Sequence, residues 1–160
     1  MHPLTAPLVF SILARMPVCW ADRHDHRKPW QLLTVAHAIT EVANSSRQPV
    51  DKAGKLITTF YHEGRGCLDV HSGAHRGPGR GPFQLEGQSK RYSGPFVGLD
   101  YESTLNAARV AGDVFDHSYQ CGSTPADVFT AYAGRPCGKP WPTLDDRTRT
   151  YRWVTWRLSQ

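Results

Sequence analysis

The chain has 160 residues, of which 39% are hydrophobic, and this length suits one domain built around one core. Its formal charge of +5 favours a polyanionic partner, either a nucleic acid or a bacterial envelope that carries phosphate and carboxylate polymers. The arginines and lysines are scattered without a dense basic run, which disfavours a dedicated nucleic-acid-binding module.

The N-terminal segment contains an apolar run from Leu4 to Ala14. This run is too short to span a bilayer, and no Lys or Arg precedes it as in a secretory signal. We therefore predict a buried helix within residues 1–21, because the apolar side chains cover most of a helical circumference. A signal peptide is the alternative, since Cys19-Trp20-Ala21 is similar to a small-residue cleavage pattern.

Two helices are predicted in the next third of the chain. The charged segment Asp22 to Lys28 is predicted to be an exposed loop, and Pro29 suits the first turn of a helix whose stripe contains Leu32, Ala36, Ile39 and Ala43. After Pro49, Asp51 is the predicted N-cap of a second helix, with an apolar face of Ala53, Leu56, Ile57 and Phe60.

Glu63 continues the stripe of the second helix, three residues past Phe60 and seven past Leu56. Its carboxyl is expected to lie toward the apolar side, while Gly64 and Gly66 end the helix. Partial burial favours the protonated carboxyl, which is what a general acid needs near neutral pH. Periodicity alone does not distinguish this arrangement from a solvent-exposed Glu at a frayed helix end.

The second half of the chain begins with a glycine-rich segment. Residues 64–82 contain six glycines and two prolines, which exclude a regular helix and allow at most a short hairpin. A helix then begins near Ser103 or Thr104, with one face formed by Leu105, Ala108, Gly112, Phe115 and Tyr119. Thr124 to Asp127 has the cap, proline and acid of a helix start, and a last helix contains Tyr151, Val154 and Leu158.

Three short motifs together resemble the lysozyme-like superfamily of lytic transglycosylases and goose-type lysozymes. That superfamily carries Glu-Ser-Gly, Gly-Leu-Met-Gln and Ala-Tyr-Asn-Ala-Gly, and this chain has in the same order Glu63-Gly64, Gly81-Pro82-Phe83-Gln84 and Ala131-Tyr132-Ala133-Gly134. The resemblance covers about residues 50–135. The chain departs from the pattern because Gly replaces Ser after Glu63, Pro-Phe replaces Leu-Met, and no Asn follows Tyr132.

The resemblance implies one mainly α, lysozyme-like domain over residues 1–160, with a glycine-rich irregular or short-hairpin lobe around residues 64–86. It also implies cleavage of the β-1,4 bond between N-acetylmuramic acid and N-acetylglucosamine in peptidoglycan, with Glu63 as general acid and base. Tyr132 would lie close to the acid and hydrogen-bond it or the substrate. The residues that would contact the sugar chain are Gly81, Phe83, Gln84, Tyr92 and Asn106.

The group that attacks the sugar depends on a second carboxylate. Glu86 stands where goose-type lysozymes carry an Asp, and it could position a water molecule for an inverting hydrolysis. Lytic transglycosylases have no acid there and use the C6 hydroxyl of the muramoyl sugar, and the wider resemblance favours this reaction. A non-catalytic glycan-binding or structural module with the same fold is the alternative from another class.

No metal site and no cofactor are predicted. His62-Glu63 begins an HExxH pattern, but the second histidine would have to be residue 66, which is a glycine. Cys67, His71 and His75 could still ligate a metal from a loop. The four cysteines allow three disulfide pairings, and Cys121 and Cys137 flank one predicted helix and could be joined in an oxidising compartment.

The predicted partner is the glycan strand of peptidoglycan, and no transmembrane anchor is expected. The predicted site of action is the bacterial envelope, in the periplasm or the cell wall. A bacterial autolysin, a phage lysis enzyme and an envelope-penetrating component of a virion or secretion machine all fit these features.

Overall fold

The structure is a computed structural model that describes residues 3–17, 19, 24–72, 74, 79–86 and 99–160. The helices in these ranges are α1 Ala6–Leu13, α2 Lys28–Asn44, α3 Pro49–Thr59, α4 Leu68–His71, α5 Tyr101–Asp116, α6 Pro125–Tyr132 and α7 Leu144–Leu158. A π-helical turn, Phe60–Gly64, extends α3. The antiparallel strands β1 Gly79–Arg80 and β2 Leu85–Glu86 form a short hairpin. The predicted mainly α class is therefore confirmed, together with a short hairpin in the glycine-rich lobe.

Helix α3 occupies the middle of the helical packing. It contacts α2, α5 and α7, while α1 packs against α2, and α6 packs against α7. The predicted stripe of α3 is fully or almost fully buried in one hydrophobic cluster, at Ala53, Leu56, Ile57 and Phe60. Burial on several sides holds α3 firmly, and therefore holds the π-helical turn that carries Glu63.

The N-terminal helix is buried as predicted, but it is short. Val9, Ile12 and Leu13 of α1 are almost inaccessible to solvent and belong to the main core. The helix ends at Leu13, before the end of the predicted segment. No helix in the described ranges is both long and apolar enough to cross a bilayer.

Two expectations about α3 and α5 are wrong. Asp51 lies inside the first turn of α3, because Pro49 begins the helix and Gln48 is the N-cap. Helix α5 begins at Tyr101, so Ser103 lies near its start as predicted, and the Asp100 side chain caps the helix by accepting a hydrogen bond from the Ser103 amide. Tyr119 lies beyond the end of α5 and is exposed, so it is not part of the buried face.

Two further corrections concern segments expected to be irregular. Lys28 was expected in an exposed loop, but it begins α2 and is buried. The segment Leu68–His71, which contains no glycine, forms the one-turn helix α4. Its first and last side chains are buried, so packing stabilises a helix that the surrounding glycines disfavour.

Candidate active site around Glu63

Glu63 lies in the π-helical turn at the end of α3 and not in regular α-helix. The helical stretch ends at Gly64, and the next two residues, Arg65 and Gly66, adopt left-handed φ values of 46° and 64°. The Glu63 side chain is 23% exposed. The expected partial burial is therefore present, and single π-helical turns are frequent at functional sites.

A short ion pair joins Glu63 to Arg147 in the first turn of α7. Arg147 Nη1 donates to Glu63 Oε1 at 2.5 Å, and the Arg147 side chain is only 7% exposed. The guanidinium carbon lies 4.9 Å from the centre of the Trp141 ring, whose Nε1 donates to the Thr130 hydroxyl. Glu63 is thus partly buried and is held by a charge-assisted hydrogen bond from Arg147.

Arg147 is a functional candidate that the motif reasoning missed. A signal was present in the sequence, because Arg147 lies four residues before Tyr151 and seven before Val154, in line with the stripe of the last helix. An arginine at a core-facing position needs a buried anion or a stacking partner. The structure supplies both, as Glu63 and Trp141.

Tyr132 lies next to the acid at the last residue of α6. Its hydroxyl donates to the Phe83 carbonyl oxygen at 3.1 Å, and its ring stacks on Phe115 with centroids 4.3 Å apart. Burial and then the negative charge of Glu63 raise the pKa of Tyr132 well above its usual range. Tyr132 therefore keeps its proton, and directs it to the hairpin backbone rather than to the acid, in contrast to the sequence-based expectation.

The structure brings the three motifs of the resemblance into one neighbourhood. Glu63 interacts electrostatically with Tyr132, Tyr132 hydrogen-bonds the backbone of Phe83, and a side chain added at Gly64 would lie 3.5 Å from the Pro82 carbonyl oxygen. The Phe83 side chain itself is fully buried in the core. The resemblance implied that this side chain contacts the sugar chain, but the buried ring is not accessible to a ligand. A large apolar ring gains more free energy from burial than from exposure.

Gly81 and Gln84 shape the hairpin turn. Gly81 has φ 65° and Gln84 has φ 50°, and the Gln84 side-chain amide donates to the Gly81 carbonyl oxygen at 3.0 Å. A β-carbon at Gly79 would lie 2.9 Å from the Gln84 carbonyl oxygen, so only glycine fits in β1 there. The half-buried Gln84 side chain therefore stabilises the hairpin turn.

The structure describes the remaining predicted site residues only in part. The Glu86 backbone lies in β2 opposite Gly79, but its side chain falls outside the described structure. Tyr92 lies outside the described residues. Asn106 is half-buried in α5, a helix that packs against α2, α3 and α6.

Two neutral histidines lie near Glu63 in the sequence, His62 within the π-helical turn and His71 at the end of α4. His62 Nε2 lies 3.0 Å from the Thr150 hydroxyl, and burial followed by the Arg147 charge lowers the pKa of His62 to about 4. His71 is fully buried with its ring centroid 5.1 Å from that of Phe60, and burial lowers its pKa to about 3. Both imidazoles are therefore uncharged at neutral pH, and the positive charge next to Glu63 is that of Arg147.

The cysteines are paired in two disulfides, Cys19–Cys67 and Cys121–Cys137. The second pairing is the one that the sequence suggested. The first joins the chain just after the π-helical turn to the segment after α1, and it removes Cys67 from any set of metal ligands. His75 lies outside the described residues, and no group of three possible metal-ligating side chains occurs in the part of the chain that the structure describes.

Comparison of the chain with protein-family models, curated proteins and solved structures found no significant match. The chemistry of the Glu63 site therefore has to be inferred from its own residues.

Proposed function

We propose that the protein is a lysozyme-like glycosidase that cleaves the β-1,4 bond between N-acetylmuramic acid and N-acetylglucosamine in peptidoglycan, as a lytic transglycosylase. The observation that supports this proposal is the convergence of Glu63, the Phe83 backbone and Tyr132, which lie far apart in the sequence. A half-buried carboxylate beside a glycine-shaped hairpin matches the arrangement that the resemblance implies. The +5 charge suits an anionic wall polymer.

In the proposed reaction Glu63 first donates its proton to the glycosidic oxygen, and the bond from the muramoyl C1 to that oxygen breaks. The C6 hydroxyl of the same sugar then forms the new bond to C1, and Glu63 takes up the hydroxyl proton. The product is a 1,6-anhydro sugar, and no water is consumed. Tyr132 acts in this scheme as a positioning residue that holds the hairpin against the acid.

Arg147 places a condition on this mechanism. The first step needs the Glu63 carboxyl to reach the glycosidic oxygen, whereas Arg147 Nη1 holds Glu63 Oε1 at 2.5 Å. Substrate binding must therefore draw the guanidinium away from Glu63, for example toward a sugar oxygen.

The ion pair also favours a second candidate function, a non-catalytic glycan-binding or structural module. In that case Glu63 and Arg147 form a permanent buried link between the π-helical turn and α7. Such a module would bind wall polymers and leave their glycosidic bonds intact.

The decisive experiment is cleavage of purified peptidoglycan by the wild type and by Glu63→Gln, with mass spectrometry of the products. The matched control is Glu102→Gln, an exposed carboxylate on α5. A transglycosylase yields 1,6-anhydro ends that Glu63→Gln abolishes and Glu102→Gln retains. No cleavage by the wild type would favour the binding module, and cleavage by Glu63→Gln would remove Glu63 from the mechanism.

The same products distinguish the inverting muramidase alternative. That reaction needs Glu86 to place a water opposite Glu63, with the two carboxyls about 6.5 to 9.5 Å apart. Reducing ends, one water heavier than anhydro ends, together with loss of activity in Glu86→Gln, would establish hydrolysis.

We further propose that the protein acts in the bacterial envelope, whether it belongs to a bacterium, a phage or a virion. The two disulfides support this proposal, because disulfides persist in oxidising compartments such as the periplasm.

A further inference from the structure

A surface cleft of about 390 Å³ lies between the segment after α1 and the exposed side of α7. This volume falls within the range of small-molecule sites, roughly 300 to 1,000 Å³. Four lining residues are apolar or aromatic, namely Met16, Pro17, Tyr61 and Trp153. The other three are Arg15, Arg149 and Thr150, so the lining contains two cations and no carboxylate among the residues that the structure describes.

The cationic rim is suited to a carboxylate ligand. A guanidinium binds a carboxylate through a planar pair of hydrogen bonds, and two guanidiniums can hold one anion from both sides. Arg149 has a contact with Asp146 at 3.4 Å, but both side chains are well exposed, at 78% and 61%. A contact of this kind contributes little in water, so a ligand carboxylate can replace it.

The apolar walls of the cleft favour a ligand that also has an apolar part. Trp153 is 38% exposed although tryptophan is usually well buried, and it offers a flat surface for packing. Met16 is almost fully buried. The wall is mainly apolar, which disfavours a bare phosphate ion, because such an ion would leave the apolar surface without a partner.

The cleft is connected to the π-helical turn that carries Glu63. Tyr61 lies in that turn, two residues before Glu63. Thr150, another lining residue, lies 3.0 Å from His62 of the same turn. A ligand in the cleft would therefore contact the same structural element as the proposed active site without using Glu63.

We propose that this cleft binds a short acidic peptide, with a carboxylate between Arg15 and Arg149 and an aliphatic part against Trp153 and Met16. Binding does not depend on catalysis by Glu63. If the proposed function holds, the acidic peptides attached to glycan strands would supply this ligand.

Titration calorimetry with the full chain tests the proposal, using acetyl-Ala-Glu as the ligand and the uncharged acetyl-Ala-Gln amide as its control. Saturable binding of the acidic peptide is expected, about tenfold or more tighter than that of the amide. Arg149→Gln and Trp153→Ala should each weaken binding about fivefold or more. Arg152→Gln and Trp156→Ala, which alter exposed residues of α7 outside the cleft, should leave binding unchanged.

The proposal would be overturned by no saturable binding of the acidic peptide, by equal binding of the amide, or by unchanged binding in both cleft variants. Displacement of the peptide by an equal concentration of inorganic phosphate would also overturn it, since the site would then be a simple anion site. Glu63→Gln should bind the peptide like the wild type. Loss of wall cleavage with intact peptide binding therefore separates the proposed catalysis from this site.

Discussion

Replacing Arg147 with Met should lower the free energy of unfolding by about 2 to 3 kcal/mol. Removing one partner of a fully buried ion pair costs about 3 to 5 kcal/mol, because the other charge is left without compensation. Glu63 keeps 23% of its side-chain exposure, so water offsets part of this cost and leaves about 2 kcal/mol. The lost contact with the Trp141 ring adds about 0.5 to 1 kcal/mol, while the Met side chain retains most of the apolar packing.

Urea denaturation at pH 7 measures this change, and the melting temperature should fall by about 5 to 10 °C in a domain of this size. Arg149→Met on the same helix is the matched control, and its exposed side chain should contribute less than about 0.5 kcal/mol. A double-mutant cycle isolates the pair, since Arg147→Met should cost about 1 to 2 kcal/mol less in a Glu63→Gln background.

The reasoning would be refuted if Arg147→Met were as stable as the Arg149→Met control, or if its cost were the same with and without the Glu63 carboxylate.

Three further predictions concern stability. The pKa of His71 is about 3 in the fold and 6.5 in the unfolded chain, so the unfolded state binds more protons between these values and stability falls as the pH falls from 6.5 to 3. His71→Leu should make the free energy of unfolding less dependent on pH between 3 and 6.5. An unchanged pH dependence would contradict the lowered pKa of His71. Joint replacement of Cys19 and Cys67 by Ser should cost about 4 kcal/mol in urea denaturation for a 48-residue separation, whereas equal stability would show that the disulfide does not constrain the chain. Tyr132→Phe should cost about 1 to 2 kcal/mol and lower turnover modestly, because it leaves the Phe83 carbonyl unpaired; wild-type stability would argue against that hydrogen bond.

The local features of the fold were accessible from the sequence. The stripe of α3 predicted which of its side chains are buried, and the Thr124 to Asp127 pattern predicted the start of α6, where the structure has a reciprocal capping box. These features depend on residues three or four positions apart, whose spacing on a helix is set by its geometry. The end of α5 was missed, because the helix ends at Asp116 and Tyr119, which continues the apolar spacing, lies beyond it.

What only the tertiary structure decided is the environment of each candidate site residue. The sequence indicated a half-buried Glu63, but its pairing with Arg147 depends on how α3 packs against α7, and the two residues are 84 positions apart. Motif order indicated that Phe83 and Tyr132 belong to one site, yet the Phe83 ring lies in the core and only its carbonyl faces Tyr132. Periodicity describes one element at a time, whereas the charge, burial and hydrogen bonding of a site arise from several elements packed together.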